Sequence, residues 1–195
     1  MKRLLIGALV SGMLALPAFA ALKNGQTAPD FKAKASLAGK EFEFSLADAL
    51  KKGPVVVFFY PAAFTGGCNI EANAFATNKE KFDAVNTTII GVSRDPISRL
   101  HEFSSDPEYC AGKFPVASDA DGSITKAFEL NTIKLKEAIK DSRGDMIAHT
   151  ELTERTTFVI TPDKKIIATL SSADDKITPA DHMEKSLALV ESLKK

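Results

Sequence analysis

The chain holds two cysteines, and the first, Cys68, sits where thiol chemistry is expected. Residues 55–75 read VVVFFYPAAFTGGCNIEANAF. A strand-like apolar run stops at Pro61, passes through Thr65, Gly66 and Gly67, and delivers Cys68 where a helix should begin. A thiol at a helix N-terminus faces unpaired backbone N–H groups and the positive end of the helix dipole. Both lower its pKa and favour the thiolate, which is the nucleophilic form. The second cysteine, Cys110, lies 42 residues further on, too far for a CxxC redox motif. The pair has two readings. One is a structural staple, worth roughly 3–4 kcal/mol by chain entropy for a loop of this length. The other is a bond that forms and breaks during turnover.

Other chemistries find no purchase in the sequence. His101, His149 and His182 are scattered without ligand spacing, and no HExxH, CxxC pair or carboxylate cluster suggests a metal. No GxGxxG or GxxxxGK(S/T) loop is present to cradle a phosphate, so Gly66-Gly67 serves the cysteine. No cofactor is expected.

The elements that must position Cys68 alternate between strand and helix. Residues 32–37 and 40–45 flank Gly39 as an N-terminal hairpin, with Phe42 and Phe44 on one face. Residues 46–51 make a turn of helix. Residues 55–60 form a continuous apolar run, as in a central strand covered on both sides. A helix is predicted from Gly67 to about Asp83, with Ile70, Ala74 and Phe75 facing inward. A second buried strand follows at 87–93, a helix from Pro96 to about Ser104, and a short strand at 114–118. Ser123 is placed to cap a helix running to about Leu130. Residues 156–161 and 165–170 make a hairpin, and Pro179 starts a closing helix to Leu193. Crossover helices between strands argue for an α/β sheet with helices on both faces, and the terminal hairpin makes that sheet mixed. Residues 131–154 are the least legible, with an amphipathic turn of helix at 134–140, a turn at 143–145 and a strand within 146–152.

Length and composition bound the rest. Lys2 and Arg3, an apolar core over residues 4–16 and an Ala18-Phe19-Ala20 cleavage site form a secretory signal peptide over residues 1–20. The apolar run falls short of the roughly 20 residues that span a bilayer, which favours cleavage over anchoring. Residues 21–195 are then one domain, expected in the periplasm, with no membrane attachment after cleavage. The whole chain balances 25 basic against 25 acidic side chains, and losing Lys2 and Arg3 leaves a net charge of −2. That balance argues against nucleic-acid partners.

The spacing Pro61-x-x-x-Thr65-x-x-Cys68 resembles the signature of the peroxiredoxins, the cysteine-based peroxidases. Gly25-Gln26-Thr27-Ala28-Pro29-Asp30-Phe31 is similar to the family's opening segment. Asp119 and Gly122 fall where the family has a strand-to-helix loop, and Arg155-Thr156-Thr157-Phe158 resembles its R-x-T-F strand. The glutamate three residues beyond the cysteine, Glu71, makes the likeness strongest to the peroxiredoxin Q, or bacterioferritin-comigratory-protein, type.

The resemblance implies a thioredoxin-like fold: a central mixed β-sheet flanked by helices, with an N-terminal β-hairpin. It implies a thiol peroxidase acting on hydrogen peroxide and alkyl hydroperoxides. Cys68 would attack the peroxide and become a sulfenic acid. Thr65 would orient thiolate and peroxide, Arg155 would favour the charged sulfur, Pro61 would shield it, and Glu71 would support the site. Cys110 would be the resolving cysteine, attacking the sulfenic acid to form an intramolecular disulfide. Electrons would return from a thioredoxin-like or glutaredoxin-like protein or a small thiol, and relatives are monomers or dimers.

The sequence departs from the family in three ways. Gly66 stands where proline is usual, which suggests a more mobile loop; position 73, a frequent second cysteine, is Asn73; and residues 131–154 are longer than their counterpart. Two other functions compete: a periplasmic thiol–disulfide oxidoreductase, disfavoured without CxxC, and a non-enzymatic binding module stapled by Cys68–Cys110.

Overall fold

The structure, a computed structural model, describes residues 21–194. The expected leader at 1–20 lies outside the described residues. In chain order the elements are β1 (Lys32–Leu37), β2 (Lys40–Ser45), α1 (Leu46–Leu50), β3 (Val55–Phe59), α2 (Gly66–Thr77), α3 (Lys79–Ala84), β4 (Thr88–Ser93) and α4 (Ile97–Ser105). They continue as β5 (Val116–Ser118), α5 (Ser123–Ala127), β6 (Thr132–Lys134), β7 (Glu151–Thr153), β8 (Thr156–Ile160), β9 (Ile166–Ser171), α6 (Ser172–Asp175) and α7 (Pro179–Ser192).

Seven strands form one mixed sheet in the order β2-β1-β5-β4-β3-β8-β9. The central three, β5, β4 and β3, run parallel, as strands joined by helical crossovers do. β8 lies antiparallel against the other side of β3, and β1 antiparallel against β5. This is the expected thioredoxin-like arrangement with an N-terminal hairpin.

β3 is buried along its whole length, and its alternating side chains feed two cores. Val55, Val57 and Phe59 join Phe158, Phe128, Phe44 and Leu46 on one face. Val56, Phe58 and Tyr60 join Phe75, Phe103, Val159 and Val190 on the other, beneath α2, α3, α4 and α7. Gly91 on β4 stands directly opposite Phe58. A Cβ there would lie 2.7 Å from Phe58 Cζ, so only glycine lets the ring cross the strand and stack on Phe75 at 4.6 Å.

Several expectations need correction. The long helix predicted to Asp83 is two helices. Thr77 Oγ1 donates to the Asn73 and Ala74 carbonyls, the Asn78 N–H and Nδ2 both donate to Ala74, and Asn78 leaves helical geometry at φ −105°, ψ 8°, so α2 ends there and α3 restarts at Lys79. Its inward face is Cys68, Glu71, Ala72, Phe75 and Ala76, while Ile70 is 56% exposed and Ala74 only partly buried. An inward glutamate hid that stripe. Phe42 is exposed on the edge strand β2, and only Phe44 reaches the core. Ser123 does not cap α5; Gly122 holds that position, and the Asp119 carboxylate accepts from the N–H groups of Ile124 and Thr125. No helix forms at 134–140. β6 pairs with β7, Lys140 bridges to Met146, and Gly144 at φ +91° makes the turn. Ile133, Ile139 and Met146 are exposed, so a helix there had no core to pack against.

Candidate active site

The loop that carries Cys68 begins where β3 runs out. The Tyr60 N–H still donates to the Val92 carbonyl at 3.1 Å, and Pro61, lacking an N–H, ends the ladder. Ala62, Ala63 and Phe64 are buried, and Phe64 adopts a left-handed φ of +61°. Thr65 then turns extended (φ −109°, ψ 147°) as the N-cap of α2, which places Cys68 in its first turn. The Thr65 hydroxyl does not cap the helix. It donates instead to the Ala62 carbonyl at 2.8 Å. The first-turn N–H groups beside Cys68 therefore have no side-chain cap.

Arg155 approaches from the other side of β3. It stands one residue before β8, whose Thr156 pairs with Phe59 at the strand end. Its Nη2 donates to Cys68 Sγ at 3.2 Å and its Nη1 donates to Glu71 Oε2. Gly67 makes room for this approach, since a Cβ there would meet Arg155 Nη2 at 3.1 Å and Pro179 Cγ at 3.4 Å. Thus Cys68, Thr65, Arg155 and Glu71 converge, and Pro61 closes the strand beside them. Cys110 is not among these converging groups.

The electrostatics differ from the expectation. The Cys68 thiol is pushed up from its ordinary value, because burial penalises the thiolate. The Arg155 guanidinium, the Thr65 hydroxyl and a backbone hydrogen bond at Ala62 pull it back, and Glu71 adds to the rise. A helix start alone does not make this sulfur acidic; its polar partners must offset a dry surrounding. Glu71 is likewise pushed up to about 7 by burial, against the pull of Arg155. Its Oε1 has no hydrogen-bond partner among the described residues and lies 3.9 Å from His182 Nδ1. His182, buried on α7, is pushed down to about 4 by burial and then by Arg155. Its ring nitrogens bond the hydroxyls of Thr157 and Ser172, each at 2.9 Å.

Comparison with known proteins decides what such a site belongs to. The model of the AhpC/TSA family matches residues 24–169. A Mycobacterium tuberculosis protein named as a putative peroxiredoxin is 30% identical over 173 residues, covering 89% of this chain and 99% of its own. The chain belongs to the AhpC/TSA family of peroxiredoxins. Peroxiredoxin Bcp of Xanthomonas campestris is 29% identical over 138 residues, covering 71% of this chain and 76% of its own. Among solved structures, peroxidoxin BcpB of M. tuberculosis superposes with a TM-score of 0.73 at 29% identity, covering 89% and 99% of the two chains. The bacterioferritin comigratory protein of X. campestris gives 0.63 at 26% identity, covering 83% and 92%. This peroxiredoxin is accordingly a thiol peroxidase. The thiol–disulfide oxidoreductase and non-enzymatic binding-module readings both fall with that membership.

Cys110 is buried in the same apolar cluster as Cys68. It lies in the turn after α4, between Tyr109 and the left-handed Ala111 (φ +52°). Burial, then Asp106, pushes its thiol well above the ordinary value. The aromatic rings of Tyr60, Phe64, Phe103 and Tyr109 pack against one another between the two cysteine-bearing segments.

Sequence reasoning missed the residues that hold the loop of this peroxiredoxin. Asp95 Oδ2 accepts from the Ala63 N–H at 2.7 Å, and Arg99 Nη2 donates to the Ala63 carbonyl at 3.0 Å. An aspartate at the exit of a buried strand, four residues before an arginine on the next helix, was the available signal. His182 carried none, since a lone histidine on a closing helix looks like any other.

Proposed function

We propose that Cys68 is the peroxide-reactive thiol, served by Arg155, Thr65 and the first-turn N–H groups of α2. The sulfur attacks one peroxide oxygen, an S–O bond forms, and the O–O bond breaks. The departing oxygen leaves as hydroxide or alkoxide and takes up a proton, giving water or alcohol and a Cys68 sulfenic acid. Arg155 stabilises the charge on the attacking sulfur and on the oxygens as that charge develops. Pro61 shields the sulfur and Glu71 fixes the guanidinium. The observation that carries this reading is the Arg155 Nη2–Cys68 Sγ contact of 3.2 Å in a buried site.

Hydrogen peroxide and alkyl hydroperoxides are the proposed substrates; the bacterioferritin comigratory protein of X. campestris has alkyl peroxide reduction activity. In the second half of the cycle the Cys110 thiol attacks the sulfenic sulfur, water leaves, and a Cys68–Cys110 disulfide forms. A thioredoxin-like or glutaredoxin-like dithiol, or a small thiol, then reduces it. Membership of one apolar cluster supports this pairing, and the turns that hold the two sulfurs must open locally for them to meet. The leader-like residues 1–20 support a periplasmic site of action.

The test is mass spectrometry of the reduced protein before and after one equivalent of peroxide, with Cys68→Ser alongside. The reading expects peroxide consumption and one intrachain Cys68–Cys110 bond in the wild type, and neither in the variant. Full peroxide consumption by Cys68→Ser would overturn the assignment. Sulfenic or overoxidised Cys68 with no disulfide would remove Cys110 from the cycle.

A further inference from the structure

The segment between β6 and β7 has no part in the chemistry above, yet it lies across the Cys68 loop. Ser142 donates twice to the Phe64 carbonyl, from its N–H at 2.9 Å and its hydroxyl at 2.7 Å. Asn69, next to Cys68 on α2, donates through Nδ2 to Ser142 Oγ at 3.4 Å. The Arg143 guanidinium stands 3.3 Å from the centre of the Phe64 ring and donates to Glu102 at 2.8 Å.

Asp141 organises this turn from a fully buried carboxylate. It accepts from Arg99 Nη2 at 2.6 Å, from Arg143 Nε at 3.3 Å, and from the N–H groups of Arg143 and Asp145 at 2.8 and 3.0 Å. Burial works against its charge, but the Asp145 N–H, Arg99 and Arg143 hold its carboxyl below the usual range. Arg99 closes the circuit, because it also pairs with Asp95 at 3.2 Å and donates to the Ala63 carbonyl. Ala63 and Phe64 are thus gripped from two independent segments.

Two features show that this grip acts on the loop and is not packing alone. Ile147 is buried but belongs to neither core cluster, and Ile133, Ile139 and Met146 are exposed, so they add nothing to the core. Phe64 is a phenylalanine at φ +61°, a conformation that persists only when its surroundings over-determine it. Four residues later comes the reactive sulfur.

We infer that the Asp141–Ser142–Arg143 turn is a clasp that keeps the Cys68 loop closed on Arg155 and sets how often it opens. These are positioning residues; none touches the sulfur. The inference rests on Cys68 as the reacting thiol, and the opening it controls is the one a Cys68–Cys110 bond requires.

The experiment is amide hydrogen exchange on the reduced protein, comparing wild type, Asp141→Asn, Ser142→Ala and the opposite-face core variant Ile166→Val. Asp141→Asn should speed exchange in residues 62–69 by about tenfold or more, as expected for losing one charge-assisted hydrogen bond. Ser142→Ala, which keeps the backbone bond to Phe64, should do so less and carries the test if Asp141→Asn does not fold. β3 and β4 should exchange as in wild type. Acceleration over 62–69 no greater than in Ile166→Val overturns the clasp. After one equivalent of peroxide, the Cys68–Cys110 bond should form faster in the clasp variants. Faster local exchange with no disulfide in any variant upholds the clasp and defeats the Cys110 reading.

Discussion

Arg155 and Cys68 stand 87 residues apart in the chain and 3.2 Å apart in the fold. The antiparallel pairing of β8 with β3 brings them together, and Glu71 shares the guanidinium from one helical turn beyond the sulfur. One planar cation therefore spans the Cys68 sulfur and a buried carboxylate, a geometry lysine cannot reproduce.

Removing that cation should cost kcat/KM for peroxide about a hundredfold or more, the scale seen when one preorganised donor is lost. Arg155→Met should show the full loss and Arg155→Lys an intermediate one. Arg155 lowers the Cys68 pKa, so the pH profile of Cys68 alkylation should move to higher pH in both variants. An unshifted profile with an unchanged peroxide rate would show that the contact is incidental.

Glu71 and His182 should give opposing pH dependences of stability. Burial raises Glu71 from 4.5 to about 7, so its contribution is present below pH 4.5 and is lost as pH rises to about 7. Burial lowers His182 from 6.5 to about 4, so its contribution is present above pH 6.5 and is lost as pH falls to about 4. Each spans about 3 kcal/mol, and over the shared window they largely cancel. Urea denaturation of Glu71→Gln should show stability rising from pH 4 to 6.5, and His182→Asn should show it falling from 4.5 to 7. Parallel profiles for the two variants would refute the assignment.

Gly66 should accept proline. It is the first residue of α2, where an N–H has no intrahelical partner, and the extended Thr65 before it suits a pre-proline position. A Cβ at Gly66 meets nothing within 4 Å. Gly66→Pro should therefore stabilise the fold by about 0.4–1 kcal/mol through a less free unfolded chain. A lower Tm on calorimetry would show that the site needs glycine here.

Gly91→Ala should act in the opposite direction. The added methyl would press on Phe58, which is held by its stack with Phe75, so about 1–3 kcal/mol of stability should be lost. Chemical denaturation measures it directly, and a neutral result would mean that the ring can slide along the strand.

The sheet was legible because β3 and β8 are unbroken β-branched and aromatic runs, and β4 is one interrupted only by Gly91 before its closing Ser93. The thiol, its threonine and its arginine were legible because their types and spacing are jointly unusual. The inward stripe of α2 was not, since Glu71 occupies a position that a pattern of apolar residues would assign to Leu or Ala. Residues 131–154 resisted for another reason. They are held by the Asp141 and Ser142 hydrogen bonds, and polar bonding to distant segments leaves no periodicity in the chain.

The place of Gly67 between Arg155 and Pro179 bears on how the protein comes into being. During N-to-C synthesis the sulfur is made long before the guanidinium beside it and the α7 start that packs at Gly67. While the nascent chain lacks β8, β3 has no neighbour on that side and Cys68 has no cation. Its sulfur then lacks the guanidinium that offsets the effect of burial. The contact between sulfur and cation arrives with the last fifth of the chain, as a property of the finished fold and not of the cysteine loop.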